Sequence, residues 1–515
     1  MLHTLRARRG MVVAPHHLAA QAGRDVLREG DNAIEAAVAT AACLAVVYPH
    51  MTGIGGDGFW LIHEADGRVH AIDACGRAAQ AATLDFYRGH AHIPWREPGA
   101  ANTVAGTVSG WALALQQATS SLSLQRLLSD AIHHATAGVP VTLGGAQVAA
   151  SKRAELRPQP GAYAEIFEPH GAALREGALL RQAQLARTLQ RLADEGLESF
   201  YRGAIAHDIA ADLQAFDSPL SAHDLATHRA ETSVPLSVVI QGARLYNHAP
   251  PTQGLASLLI LALFDRLKVE DADSYAHLHG LIEASTQAFL IRDAHLGDPA
   301  WMTLDAQALL DDDAALDALA ARIDMSAALP WPQPSQAGDT VWFGAIDAHG
   351  RAVSCIQSTY FEFGSGLVLP RTGITWQNRG CSFRLAPDGW NALVPGAQTL
   401  PHPQPGAGHL RRRQRHGLRH HGRRRPTADP GRRVFPLRPL RPATAAGDQR
   451  TALAARPHLG RRQHCVEAGK PLRPGSGASP AQRRACGGTA AGVQLGDGAC
   501  RCLGARGRWR DQRRK

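Results

Sequence analysis

Gly338-Asp339-Thr340-Val341-Trp342-Phe343-Gly344-Ala345-Ile346-Asp347 is the stretch that decides how this chain is read. It sets a threonine between a Pro-, Gln- and Ser-rich linker, Pro332 to Ala337, and the opening of a strand-like run. On pattern alone, a β-branched residue that opens a strand accounts for such a threonine. Chemistry supplies a second account. If the Asp339–Thr340 bond is cut, Thr340 gains a free α-amine close enough to its own hydroxyl to act on it as general base. One residue then supplies both nucleophile and base.

Working outward, strand character returns at Ala352 to Ser358, joined to the first run by Ala348-His349-Gly350. Near the start, Leu18, Ala22 and Leu27 recur at helical intervals, and Gly30-Asp31-Asn32 supplies a stop followed by a cap for Ala33 to Val47. That second segment is apolar nearly all round, so burial is expected. A turn, Gly53-Ile54-Gly55-Gly56-Asp57-Gly58, then leads to strand-like runs at Phe59 to His63 and Arg68 to Asp73. Helical patterns occupy 109 to 137, 177 to 196, 254 to 268 and 275 to 292. A strand-rich start, a helical middle and a strand-rich return predict layers of helix on sheet, and no internal repeat is visible.

The 515 residues carry 55 Lys+Arg and 45 Asp+Glu, but the two signs are segregated. Residues 1 to 400 hold 28 basic and 40 acidic residues, and residues 401 to 515 hold 27 and 5. The tail has 25 Arg, 2 Lys and two aromatics, Phe435 and Trp509, so no ordinary core is expected from it. No run of about 18 apolar residues is present, which argues against a membrane span. The N-terminus enters polar sequence at once, which argues against export by a signal peptide. Cys43, Cys75, Cys355 and Cys381 are scattered through the acidic body, a usage that fits a reducing, cytoplasmic compartment.

Other candidates carry less. The glycine turn lacks the Lys and Ser/Thr of a phosphate loop and follows a helix rather than a strand, so nucleotide binding is not expected. His16-His17 and His133-His134 are adjacent pairs that should point to different sides, which suits solvated histidines better than a metal. Cys500 and Cys502 have no matching second pair, and no metal or organic cofactor is expected.

Five blocks, in order, carry a resemblance: MVVAPHHLAAQAGRDVLREGDNAIEAAVA, VYPHMTGIGGDGFWLI, AIDACGRAAQAAT, HAPPTQGLASLLIL and GDTVWFGAIDAHGRAVSCIQSTYFEFGSGLVLPRTGITWQNRG. Over about residues 10 to 396 the chain resembles the γ-glutamyltransferase family of N-terminal-nucleophile hydrolases. The resemblance implies an α+β fold, a four-layer αββα sandwich. It also implies a precursor that cuts itself between Asp339 and Thr340 into a large chain, 1 to 339, and a small chain beginning at 340. Thr340 would be the nucleophile and Ser358 its hydrogen-bond partner. Arg77 would hold the substrate carboxylate, as a guanidinium can with two parallel charge-assisted bonds. The Asn and Asp that hold a γ-glutamyl α-ammonium are replaced here by Tyr360 and Ser382, which carry no negative charge to offset the desolvation of an ammonium. A small acid amide without an amino group suits that site. The WQNRG-containing branch looks like the amidases of oxamate, with glutathione as the family-level alternative.

After residue 396 the family pattern stops. Pro401 to Gly408 is encoded by CCN CAY CCN CAR CCN GGN GCN GGN; one base later this permits His-Thr-Leu-Asn-Pro-Ala-Leu-Ala, the missing family segment. The same offset over His416 to Val434 permits a run containing the glycine pair expected in the oxyanion hole. Residues 397 to 515 therefore read as a shifted frame, a disordered or irregular tail rather than a domain, and catalysis in this chain is expected to be impaired. A genuine arginine-rich arm for nucleic acid is the competing account; the tail's charge would give nonspecific affinity in either case.

Overall fold

Apolar residues spaced by two in the strand runs and by three or four in the helical runs sort the side chains onto separate faces. The computed structural model describes residues 5–118, 120–272, 274–330, 340–387, 389, 391–399 and 407–408. The strands are β1 (Gly10–Val13), β2 (Asp57–His63), β3 (Val69–Ala74), β4 (Val139–Pro140), β5 (Leu179–Leu180), β6 (Glu231–Ser233), β7 (Leu236–Ile240), β8 (Ala243–Asn247), β9 (Val341–Asp347), β10 (Ala352–Ser358) and β11 (Ala407–Gly408). Among the described residues they form a six-stranded sheet in the order β1-β9-β10-β2-β3-β6, a three-stranded sheet in the order β11-β8-β7, and a β4-β5 ribbon. The hairpin read at 341 to 358 is the centre of the larger sheet, with Gln357 opposite Val341 and, on the other side of β10, Ser358 opposite Asp57.

Helix Ala33–Val47 begins at Asn32, whose Oδ1 accepts the Ile34 N–H at 2.9 Å, and all of its residues are buried, as its all-round apolar pattern predicted. It lies on the large sheet with Trp60, Ile62, Phe343, Val353 and Cys355 in the same core. The opposite side chains of the same strands, Phe59, Ile356 and the partly buried Trp342, form a second apolar cluster with Cys75. The His248 ring, one residue beyond β8, meets Phe59 edge-on at 5.7 Å. Beyond β7 and β8, Leu255, Leu258, Leu259 and Ala262 of helix Gly254–Arg266 pack with Leu236, Val238 and Leu245. The order is helix, sheet, sheet, helix: the four-layer αββα sandwich.

Three local expectations need correction. The helical pattern over 109 to 137 is two helices, Thr107–Gln117 and Leu124–Ala137, because the Ser123 hydroxyl accepts the Arg126 N–H and starts a new one. Residues 177 to 196 begin with β5, and the helix is Ala183–Glu195. His16 is buried rather than solvated: its Nδ1 accepts the Leu18 N–H at 3.3 Å as a helix cap, and the His16 and His17 rings stack at 4.8 Å instead of pointing apart. Burial, with His17 and His134 nearby, lowers the His16 pKa to about 4. The linker Pro332 to Ala337, Asp339 and the tail beyond Thr399, apart from β11, lie outside the described residues.

Candidate active site at the end of the central hairpin

Thr340 immediately precedes β9 and Ser358 ends β10, so antiparallel pairing brings them together from positions 18 apart in sequence. Period-two alternation places both on the inter-sheet face with Trp342 and Ile356. The Thr340 hydroxyl donates to Ser358 Oγ at 3.2 Å, and the Tyr360 N–H donates to the same oxygen at 2.9 Å. Ser358 is buried and Thr340 partly so.

Asp57, opposite Ser358 and fully buried, gathers the neighbouring chain segments. Its Oδ1 accepts N–H groups of Gly76 at 2.8 Å and Gly106 at 3.1 Å, and Gln377 Nε2 at 3.1 Å. Its Oδ2 pairs with Arg379 Nε and receives the Cys75 thiol at 3.8 Å. Burial first, and Asp57 next, push the Cys75 thiol well above its usual pKa, so it serves as a donor and not as a thiolate. Glycines permit this crowding: a Cβ on Gly56 of the turn would collide with the Ser358 carbonyl, and one on Gly76, past β3, with that of Val104. At Gly56 the turn therefore serves close packing.

Sequence reading missed Arg379. Its side chain is almost completely buried, with the guanidinium carbon 5.5 Å from the Phe59 ring centre and 5.4 Å from that of Tyr360. Asp57 takes Nε, whereas among the described residues Nη1 has no hydrogen-bond partner. Desolvation, the largest single cause, opposes the charge, but Asp57, Cys75 and Tyr360 together outweigh it and the net pKa shift is upward.

Tyr360 and Ser382, predicted to replace the ammonium ligands, do meet, through a side-chain hydrogen bond. Tyr360 has φ 79°, a left-handed backbone that non-glycine residues adopt at a cost, often near functional groups. Burial raises its hydroxyl pKa. Ser382 Oγ also donates to the Arg379 carbonyl at 2.9 Å and lies 2.6 Å from Thr399 Oγ1. Arg77, three residues past β3, is half-exposed at the rim. It faces Glu231 at 3.7 Å, Asp298 at 4.0 Å and the Gly396 carbonyl at 3.4 Å. Segment 396–399 docks beside it, with Ala78 N–H donating to the Ala397 carbonyl at 2.8 Å. Among the described residues, no cluster of three metal-ligating side chains occurs, the four cysteines are free, and no helix is long and apolar enough to cross a membrane.

The sequence model described as Gamma-glutamyltranspeptidase matches residues 19–406. The chain is 51% identical over 405 residues to the oxamate amidohydrolase proenzyme of Klebsiella pneumoniae, covering 78% of this chain and 76% of that protein. It is 40% identical over 394 residues to the glutathione hydrolase-like YwrD proenzyme of Bacillus subtilis, covering 76% and 74%. Among solved structures, the cephalosporin acylase of Bacillus halodurans superimposes with a TM-score of 0.73 at 34% identity, covering 78% of this chain and 75% of that one.

Proposed function

The chain belongs to the gamma-glutamyltranspeptidase family of hydrolases, and from that premise we propose that it is a self-cleaving threonine amidohydrolase acting on a small, carboxylate-bearing acid amide of the oxamate type. The observation that carries this reading is the 3.2 Å bond between Thr340 and Ser358, formed beside Tyr360 and Ser382, which stand where an Asn and an Asp would hold an ammonium. Cutting the Asp339–Thr340 bond frees the Thr340 α-amine. Oγ1 then attacks the amide carbon while its proton passes to that amine. The amine returns the proton to the departing nitrogen, ammonia leaves, and the acyl group remains as an ester on Oγ1. Water, deprotonated by the same amine, releases the acid and restores the threonine. Ser358 holds the hydroxyl in line, and Arg77 is the residue the resemblance assigns to the carboxylate.

The shifted frame belongs to the same proposal. Loss of one oxyanion donor typically costs about 100 to 1000-fold in rate, and restoring the frame after Gly396 should recover a factor of that size. The test is ammonia release from oxamate set against glutamate release from glutathione, with N-terminal sequencing of the small chain. Thr-Val-Trp-Phe and an oxamate preference are expected. An uncut chain that still hydrolyses amides refutes the mechanism, and a tenfold preference for glutathione refutes the substrate class.

A further inference from the structure

We propose that Arg379 is the specificity-determining residue of this site, a buried guanidinium that receives the substrate's carboxylate through Nη1 and turns away substrates bearing an α-ammonium. The proposal rests on the functional reading above and narrows it. Sequence matching assigns the ammonium position to Tyr360 and Ser382, and the structure places a cation against the Tyr360 ring. The Arg379 guanidinium lies 5.4 Å from the Tyr360 ring centre, and Ser382 bonds the Arg379 carbonyl. Only Nε is committed to Asp57, and among the described residues the buried Nη1 has no acceptor. A buried charged donor left unmade is costly, and an arriving carboxylate supplies the missing acceptor. Asp57 pairs with the guanidinium through Oδ2, and its Oδ1 is already occupied by the Gly76 and Gly106 amides and Gln377, so it offers Nη1 no further acceptor. Buried away from water, that guanidinium is screened less by solvent than Arg77, which is half-exposed. The position is also close to the chemistry. Tyr360 touches Arg379 with its ring and Ser358 with its N–H, and Ser358 bonds Thr340.

The experiment compares the full chain with Arg379→Lys and Ser382→Asp. It measures kcat and KM for oxamate and for glutathione, and the rise in Tm caused by oxamate; appearance of the small chain reports folding. Arg379→Lys keeps the charge but loses the fork, and should lower oxamate kcat/KM by about 100-fold, mostly through KM. Ser382→Asp leaves the buried cation in place and restores a carboxylate at the position matched to the ammonium ligand. It should lower the oxamate-to-glutathione preference by about tenfold or more even if Arg379→Lys fails to fold. If turnover is too slow to measure, the oxamate-induced rise in Tm should be present in the unmodified chain and lost in both variants. Parallel losses for both substrates, or an unchanged oxamate KM in Arg379→Lys, overturn the inference alone. An unmodified chain that neither hydrolyses nor is stabilised by oxamate overturns the functional reading with it.

Discussion

Glu35 and Asp57 are two fully buried carboxylates that the fold treats differently. Glu35, on helix Ala33–Val47, accepts the Ser120 hydroxyl at 2.7 Å and the Ser121 and Leu122 N–H groups at 2.7 and 2.8 Å on one oxygen. Every partner comes from the connection between two helices, and the cluster closes on itself. Asp57 also collects backbone N–H groups, but its other oxygen holds a cation whose Nη1 has no acceptor among the described residues. The first pattern fastens a loop to a helix, and the second leaves one donor open near the proposed nucleophile. Buried charge alone does not mark a site; an incomplete hydrogen-bond set beside a reactive group does.

Substitution separates the two regions most sharply at the nucleophile. Thr340→Ala removes nucleophile and base together, and should abolish the small-chain band and lower amide hydrolysis by at least about 1000-fold. Its Tm should move little, since Thr340 is only partly buried. A variant that still cuts itself would place the nucleophile elsewhere. Glu35→Ala is the converse: it strands buried N–H donors and should cost about 3 kcal/mol, roughly 100-fold in the folding equilibrium. Denaturant titration reads that loss. The oxamate-to-glutathione ratio of the surviving folded protein should not change, and a changed ratio would tie the two regions together.

How much of this difference is legible in the sequence depends on how local its cause is. Helix Ala33–Val47 and the β9–β10 hairpin announce themselves through period and turn chemistry, and Thr340 with Ser358 through the matched blocks. The Asp57–Arg379 pair joins residues 322 apart in sequence. Its only local trace is a charged residue embedded in a glycine-rich string at each end, GIGGDG and NRG. Tyr360 gives no sign of its positive φ, because tyrosine is not a turn residue; tertiary packing imposes it. His16 reads as a polar neighbour of His17, and only its place just before an apolar helical run hints at a cap.

Arg77 offers a smaller test on the open side of the comparison. A half-exposed guanidinium shared with Glu231 and Asp298 contributes a screened interaction, so Arg77→Ala should raise the oxamate KM by about tenfold and leave kcat nearly unchanged. A loss exceeding that of Arg379→Lys would return the main carboxylate contact to the rim.

The smallest expected effect is a pH dependence with opposite signs in two parts of the molecule. Asp73, beside Asp57 at the end of β3, has its pKa raised to about 7; burial is the main cause, the Cys75 N–H bond opposes it and Asp57 adds to it. Between about pH 4 and 7 the folded protein therefore holds a proton that the unfolded chain has released. Stability from this group is greatest at the acid end and falls as pH rises through that window. His16 and His50 behave in the reverse sense. Burial lowers both to about 4, so the unfolded chain takes up protons first as pH falls below about 6.5, and stability declines toward acid. The two trends overlap in the unmodified protein and can hide one another. Asp73→Asn isolates one of them: it keeps the shape, removes the titration, and should raise Tm by a few degrees at pH 8 with little change at pH 4.5, within a ceiling of about 4 kcal/mol. Melting curves of both proteins across pH 4.5 to 8 give the difference directly. A difference that stays flat across the window would mean that Asp73 titrates as an ordinary carboxylate, and that the strain of unmatched charge is confined to Arg379.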